Sequence, residues 1–106
     1  MLEFCQAVTD YSAGHTLSSW SAEAMRFDAT MRKLSLIGEA ATRVPAEIRD
    51  MAPDIPWRRI IGLRNRLMHA YPATDATVVW AIVTGDLPAL AVALRSLLER
   101  LPPPSA

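Results

Sequence analysis

The amino-acid sequence predicts an all-α protein, an up-and-down helical bundle of about four to five helices. Apolar residues recur three and four positions apart along most of the chain, and no stretch shows the apolar/polar alternation of a strand. Ala, Leu, Arg and Met are common while only 4 of 106 residues are Gly, a composition of helix formers. The 8 prolines gather at positions 45, 53, 56, 72, 88 and 102–104, where they punctuate the periodic segments.

Taken in order, Leu2 to Ala13 reads as the first helix, with Leu2, Cys5 and Val8 at helical spacing and Gly14 ending it. Leu17 to Ser21 reads as a serine-rich link with Trp20 as an anchor. A long helix is expected from Ala22 to Arg43, its core side holding Met25, Ala29, Leu34, Ile37 and Ala41. Gly38, Ala40 and Ala41 are small and would let a second helix approach. Val44-Pro45 ends this helix, and Pro45 can open a short one through Met51. A turn follows at residues 53–56, then a helix from Trp57 to about Met68 or His69, with Ile60, Ile61 and Leu67 buried and Gly62 as its weak point. Tyr71-Pro72 stops it, because the residue before a proline avoids helical geometry. Asp75 is expected to cap a helix to Thr84 that buries Val78, Val79, Trp80 and Ile82. Asp86 is expected to cap a last helix to about Leu101, with Pro88 in its first turn. Residues 1–101 then make one domain and 102–106 a short Pro-rich tail. Trp57 and Trp80 read as core anchors, Met25, Met31, Met51 and Met68 as gap-fillers, and His15 as an exposed loop residue.

Lys and Arg total 11, as do Asp and Glu, so the net charge is zero. A protein that coats nucleic acid would be strongly positive. The charge is nonetheless uneven: between Asp54 and Asp75 there is no acidic residue, while Arg58, Arg59, Arg64, Arg66 and His69 all fall there. A local basic stretch suits a phosphate pocket better than a long groove. The lone Cys5 forbids an internal disulfide and suits a reducing compartment. One Cys and two His are too few for a structural zinc site, and no cofactor is expected. The first residues lack a basic flank and an apolar run, and no segment reads as long and apolar enough to span a membrane. A cytoplasmic protein is the expectation.

The segment from Arg64 to Tyr71 carries the chemistry. Arginine binds phosphate through a planar fork that never loses its charge. Histidine moves protons near neutral pH. The pair can cleave RNA without a metal, since RNA supplies its own nucleophile, the 2′-hydroxyl. Residues five apart on a helix point about 140° from each other, so Arg64 and His69 do not share a face of a straight helix. Asn65 and His69, four apart, do, and Asn65 could orient the imidazole. Arg64 reaches His69 only if the helix ends or bends, if its long side chain wraps round, or if a second subunit completes the pair. Acid–base cleavage uses two proton-transfer groups, and a two-fold dimer would bring two copies of His69 to one site. On spacing alone, an arginine and a histidine on a basic helix more often mean a solvated face. Glu39 is either an exposed carboxylate or a partner for an arginine of the motif helix.

Arg64, four residues, His69, one residue and Tyr71 resemble the Arg-x4-His-x-Tyr signature of the HepT toxins in the HEPN superfamily. Further blocks are similar in the same order: residues 36–41, residues 55–65, Val79-Trp80, and Asp86-Leu87-Pro88. The resemblance covers almost the whole chain. It implies a HEPN-type bundle that dimerises through the motif helices. It also implies a metal-independent ribonuclease toxin paired with an MntA-like nucleotidyltransferase antitoxin, which transfers AMP to the signature tyrosine. Carried onto this sequence, Arg64 and His69 are catalytic, Asn65 supports them, and Tyr71 is the AMP acceptor. Ala70 stands where many relatives have Gly, and Pro72 is unusual. The rival expectation is a non-catalytic nucleotide- or RNA-binding HEPN module that serves as partner and substrate of a nucleotidyltransferase.

Overall fold

The computed structural model describes residues 1–63, 65, 67 and 76–101, and among these the regular structure is helical, with no strand. The helices are α1 (Leu2–Ser12), α2 (Leu17–Ser21), α3 (Ala24–Thr42), α4 (Ala46–Arg49), α5 (Trp57–Ile61), α6 (Ala76–Ala81) and α7 (Leu87–Arg100). α1 lies along α3 and α7, α3 also meets α5, and α2 rests on α3 and α6. Each long helix sends an apolar stripe inward, and the stripes merge into one core around Cys5, Val8, Trp20, Leu34, Ile37, Ala41 and Val79. This is the all-α bundle that the periodicity predicts.

Between α1 and α2 the chain reverses at Gly14, whose φ of +73° lies in the left-handed region that favours glycine. The stretch from Leu17 to Ser21 is a helix and more than a link. Thr16 accepts from the Ser19 backbone N–H while the Ser19 hydroxyl accepts from the Thr16 N–H, a reciprocal cap that starts α2. The capped turn delivers Trp20 to the core, fully buried. Its indole N–H donates to Thr30 Oγ1 at 3.2 Å, and the Thr30 hydroxyl donates to the Arg26 carbonyl at 2.9 Å. The only buried polar residue among those described is thereby satisfied on both sides. Phe27 and Trp80 close round the indole, with ring centroids 5.3 and 5.1 Å away.

Several expectations need correction. Met25 is 79% exposed and Met51 is exposed, so neither fills a gap. Met25 lies nine residues before Leu34, which on a helix is about 180° round from it. Val78 is exposed while its neighbour Val79 is fully buried. In a run that is apolar all round, the period cannot choose between them. His15 is only partly exposed, and its Nδ1 lies 3.1 Å from the Ser19 hydroxyl. Asp75 and the 102–106 tail lie outside the described residues.

The largest correction concerns the end of the chain. Asp86 makes no side-chain cap and has helical dihedrals (φ −70°, ψ −41°). The chain does not leave the helix there. A π turn at Ile82–Asp86, in which the Leu87 N–H reaches back to the Ile82 carbonyl, joins α6 to α7 in one 25-residue helix. Pro88 follows directly and has no N–H to give, so the wider turn stands where the regular ladder would fail. By length and composition alone this helix, Ala76–Arg100, is apolar enough to cross a membrane, with a mean hydropathy of 1.8 in its best window. The expectation that no segment qualifies fails because two short helices are fused. Its inner stripe, Val79, Val83, Leu87, Leu90, Leu94 and Leu97, packs into the protein core.

Candidate active site

The segment that leads into the motif is built by two latches. Trp57 is buried, and its indole N–H donates to the Ala52 carbonyl at 3.1 Å, drawing the 52–56 turn against the first turn of α5. Arg100, at the far end of α7, donates to the Met51 carbonyl at 2.7 Å. Both bonds fix the approach to α5. α5 ends at Ile61, Gly62 occupies a turn, and Leu63, Asn65 and Leu67 are again helical. The expected weak point thus falls at Gly62. A Cβ there would sit 3.3 Å from the Arg58 carbonyl, tighter than ordinary van der Waals contact.

Leu63 and Leu67 are buried, four residues apart, and Ile60 precedes them on the same face. Leu63 was not among the expected core residues, although the 60–63–67 spacing signals it. Ile61, which was, is only half-buried. Asn65 lies about 200° round from Leu63 and is exposed. Arg58 and Arg59 are exposed too. The helix therefore turns its aliphatic side to the core and leaves Asn65 and these two arginines to solvent.

Arg64, Arg66, His69 and Tyr71 lie outside the described residues, so the structure gives no geometry for the Arg64–His69 pair or for the expected modification site. Glu39 is exposed and pairs with Arg43 on its own helix at 3.3 Å. Of the motif-helix arginines with which it was expected to pair, Arg59 faces Asp86 instead, and Arg64 and Arg66 lie outside the described residues. Arg59 faces Asp86 at 3.8 Å, a surface pair worth little. Among the described residues no group of His, Cys, Asp and Glu could hold a metal ion. Cys5 is buried, and burial pushes its thiol up from the ordinary value, which disfavours the reactive thiolate. It is a core residue, as expected.

Residues 1–97 match the family described as ribonuclease HepT-like. The chain belongs to that family. A Thermococcus cleftensis protein named as a probable ribonuclease HepT is 40% identical over 62 residues, 58% of this chain and 56% of that protein. A Caldanaerobacter subterraneus protein with a provisional RNase name is 25% identical over 100 residues, 94% of this chain and 89% of its own length. A Methanocaldococcus jannaschii protein, also provisionally an RNase by name, is 32% identical over 73 residues, covering 69% of this chain and 63% of that one. No solved structure matches the chain significantly. The HepT-like family is the HEPN-superfamily group to which the motif pointed.

Proposed function

We propose that this chain is a metal-independent endoribonuclease and the toxin of a toxin–antitoxin pair, working as a homodimer in the cytoplasm. The observation that carries the reading is the HepT-like family match over residues 1–97, which contains Arg64, His69 and Tyr71 in the Arg-x4-His-x-Tyr order. In this mechanism one His69 takes the proton of an RNA 2′-hydroxyl, and that oxygen attacks the adjacent phosphorus. The bond from phosphorus to the 5′-oxygen breaks, and the second copy's His69 returns a proton to the leaving oxygen. Arg64 compensates the charge that builds on the phosphoryl oxygens. Asn65, exposed on the motif helix, orients the imidazole. The products are a 2′,3′-cyclic phosphate and a 5′-hydroxyl, so no external nucleophile is consumed.

In the same reading, an MntA-like nucleotidyltransferase antitoxin silences the enzyme by placing AMP on Tyr71. The added group is bulky and negative, and it would occupy the cleft and pair with the arginine that RNA phosphate needs. The test is expression in a bacterial host with and without His69→Ala, scoring growth and RNA integrity. The wild type should arrest growth and degrade RNA, and His69→Ala should do neither. Arrest and degradation by His69→Ala would refute the assignment.

A further inference from the structure

At the head of α5 the surface dips into an open recess of about 500 Å³, bounded by Pro56, Trp57, Arg58, Arg59 and Gly62. One wall is fixed, because Trp57 is buried and its indole N–H is held by the Ala52 carbonyl. The two arginines differ. Arg59 faces Asp86 at 3.8 Å. Arg58 is exposed, and its guanidinium makes no hydrogen bond or ion pair among the described residues. Residues 58, 62 and 65 are four and three apart and share one face of the motif helix. Gly62 has nearly helical dihedrals (φ −73°, ψ −8°), so that face runs on through the turn. Being glycine, it puts no side chain between Arg58 and the exposed Asn65. The sequence holds no acidic residue from 55 to 74, and both Arg64 and Arg66 fall there. Whichever residues of that stretch border the recess, none of them opposes an anion.

An uncommitted guanidinium is planar, always charged and matched to two phosphate oxygens at once. The recess is in the size range of a small-molecule site, so it has room for a sugar and base beside the phosphate. Pro56 and Trp57 give those groups an apolar wall. We propose that this recess is a nucleotide subsite for single-stranded RNA, with Arg58 as its phosphate contact. The choice of polymer rests on the ribonuclease reading. Arg58 precedes Asn65 by seven residues, about 10 Å along a helix axis, so the subsite flanks the cleaved bond. Arg58 is therefore a positioning residue. It holds a neighbouring phosphate equally in the ground state and the transition state, which lowers KM and leaves kcat alone.

The probe is a short fluorescein-labelled RNA of mixed sequence, fully 2′-O-methylated so that no 2′-hydroxyl can attack. Its binding to the full-length chain is followed by anisotropy over a series of salt concentrations. Arg58→Ala should weaken binding about fivefold. It should also lower the slope of log affinity against log salt by about 0.7, the loss of one single-strand phosphate contact. Arg58→Lys should restore the slope. Arg59→Ala removes the same charge from a side chain turned to Asp86, and should do less than half as much on both measures. With unmodified RNA, Arg58→Ala should raise KM at unchanged kcat. Absence of saturable binding, an unchanged slope, equal losses from Arg58→Ala and Arg59→Ala, or a fall in kcat at constant KM would each overturn the subsite. A wild type that binds in the expected pattern yet cuts no RNA would refute the ribonuclease reading and leave the subsite standing.

Discussion

The two ends of α3 meet different kinds of neighbour. At its start, Trp20, Phe27, Thr30 and Trp80 form a cluster in which the rings pack at tilted angles and the buried hydroxyl and indole N–H are both used. Nothing there is left to bind or react. Towards its other end, Ile37 lines an open groove beside α5, and α5 turns Arg58 and Arg59 to solvent. The first region uses its polar groups to close itself; the second leaves them outward and keeps unfilled volume. Under the proposed function, substitutions in the two regions should move different observables, stability in the first and cleavage in the second.

The sharpest contrast is between the motif and the indole cluster. His69→Ala and Arg64→Ala should each lower the rate of RNA cleavage by on the order of a hundredfold or more, the usual loss for an acid–base or charge-stabilising group. Their thermal midpoints should stay close to that of the wild type, as calorimetry will show. Trp20→Ala should do the reverse. It removes a fully buried ring and the donor to the Thr30 hydroxyl, and should cost about 3–5 kcal/mol in chemical denaturation. Activity per folded molecule at low temperature should be unchanged. If Trp20→Ala lost cleavage while fully folded, or His69→Ala unfolded the chain, the separation would not hold.

A smaller effect refines the functional side. Tyr71→Phe should keep cleavage within a few fold of the wild type, since the mechanism gives its hydroxyl no proton to transfer. It should escape silencing when an MntA-like nucleotidyltransferase is co-expressed. Intact mass decides this: the wild type should gain AMP and Tyr71→Phe should not. AMP additions that persist in the variant would place the modification elsewhere.

Much of this was legible in the sequence, and the failures have definite causes. The core faces of α1 and α3 follow from the spacing of Cys5 and Val8 and of Leu34, Ile37 and Ala41, because those stripes alternate with polar residues. The short helix at residues 17–21 was hidden because its cap pairs Thr16 with Ser19, where the familiar box has Glu or Gln. The π turn was hidden by Gly85 and Pro88, which look like a stop. The apolar stripe from Val79 to Leu97 keeps ordinary helical spacing, so nothing in the pattern marks the turn. The groove has no sequence signature at all, since most of its residues come from the 54–63 and 82–93 segments and look like ordinary core. At the motif, the spacing alone favours a solvated face and the family match is what supports the site reading, while Asn65 is the one proposed site residue whose exposed, helical setting the structure describes.

The proposed function stands or falls on cleavage by 2′-hydroxyl attack without a metal. The direct measurement is end-group analysis of RNA cut by the purified wild-type protein in excess EDTA, beside a substrate with a 2′-deoxy sugar at the cleaved position. The expected result is undiminished cutting, 2′,3′-cyclic phosphate and 5′-hydroxyl ends, and an intact deoxy-substituted substrate. Cleavage that stops in EDTA, or that leaves 5′-phosphate ends, would contradict it.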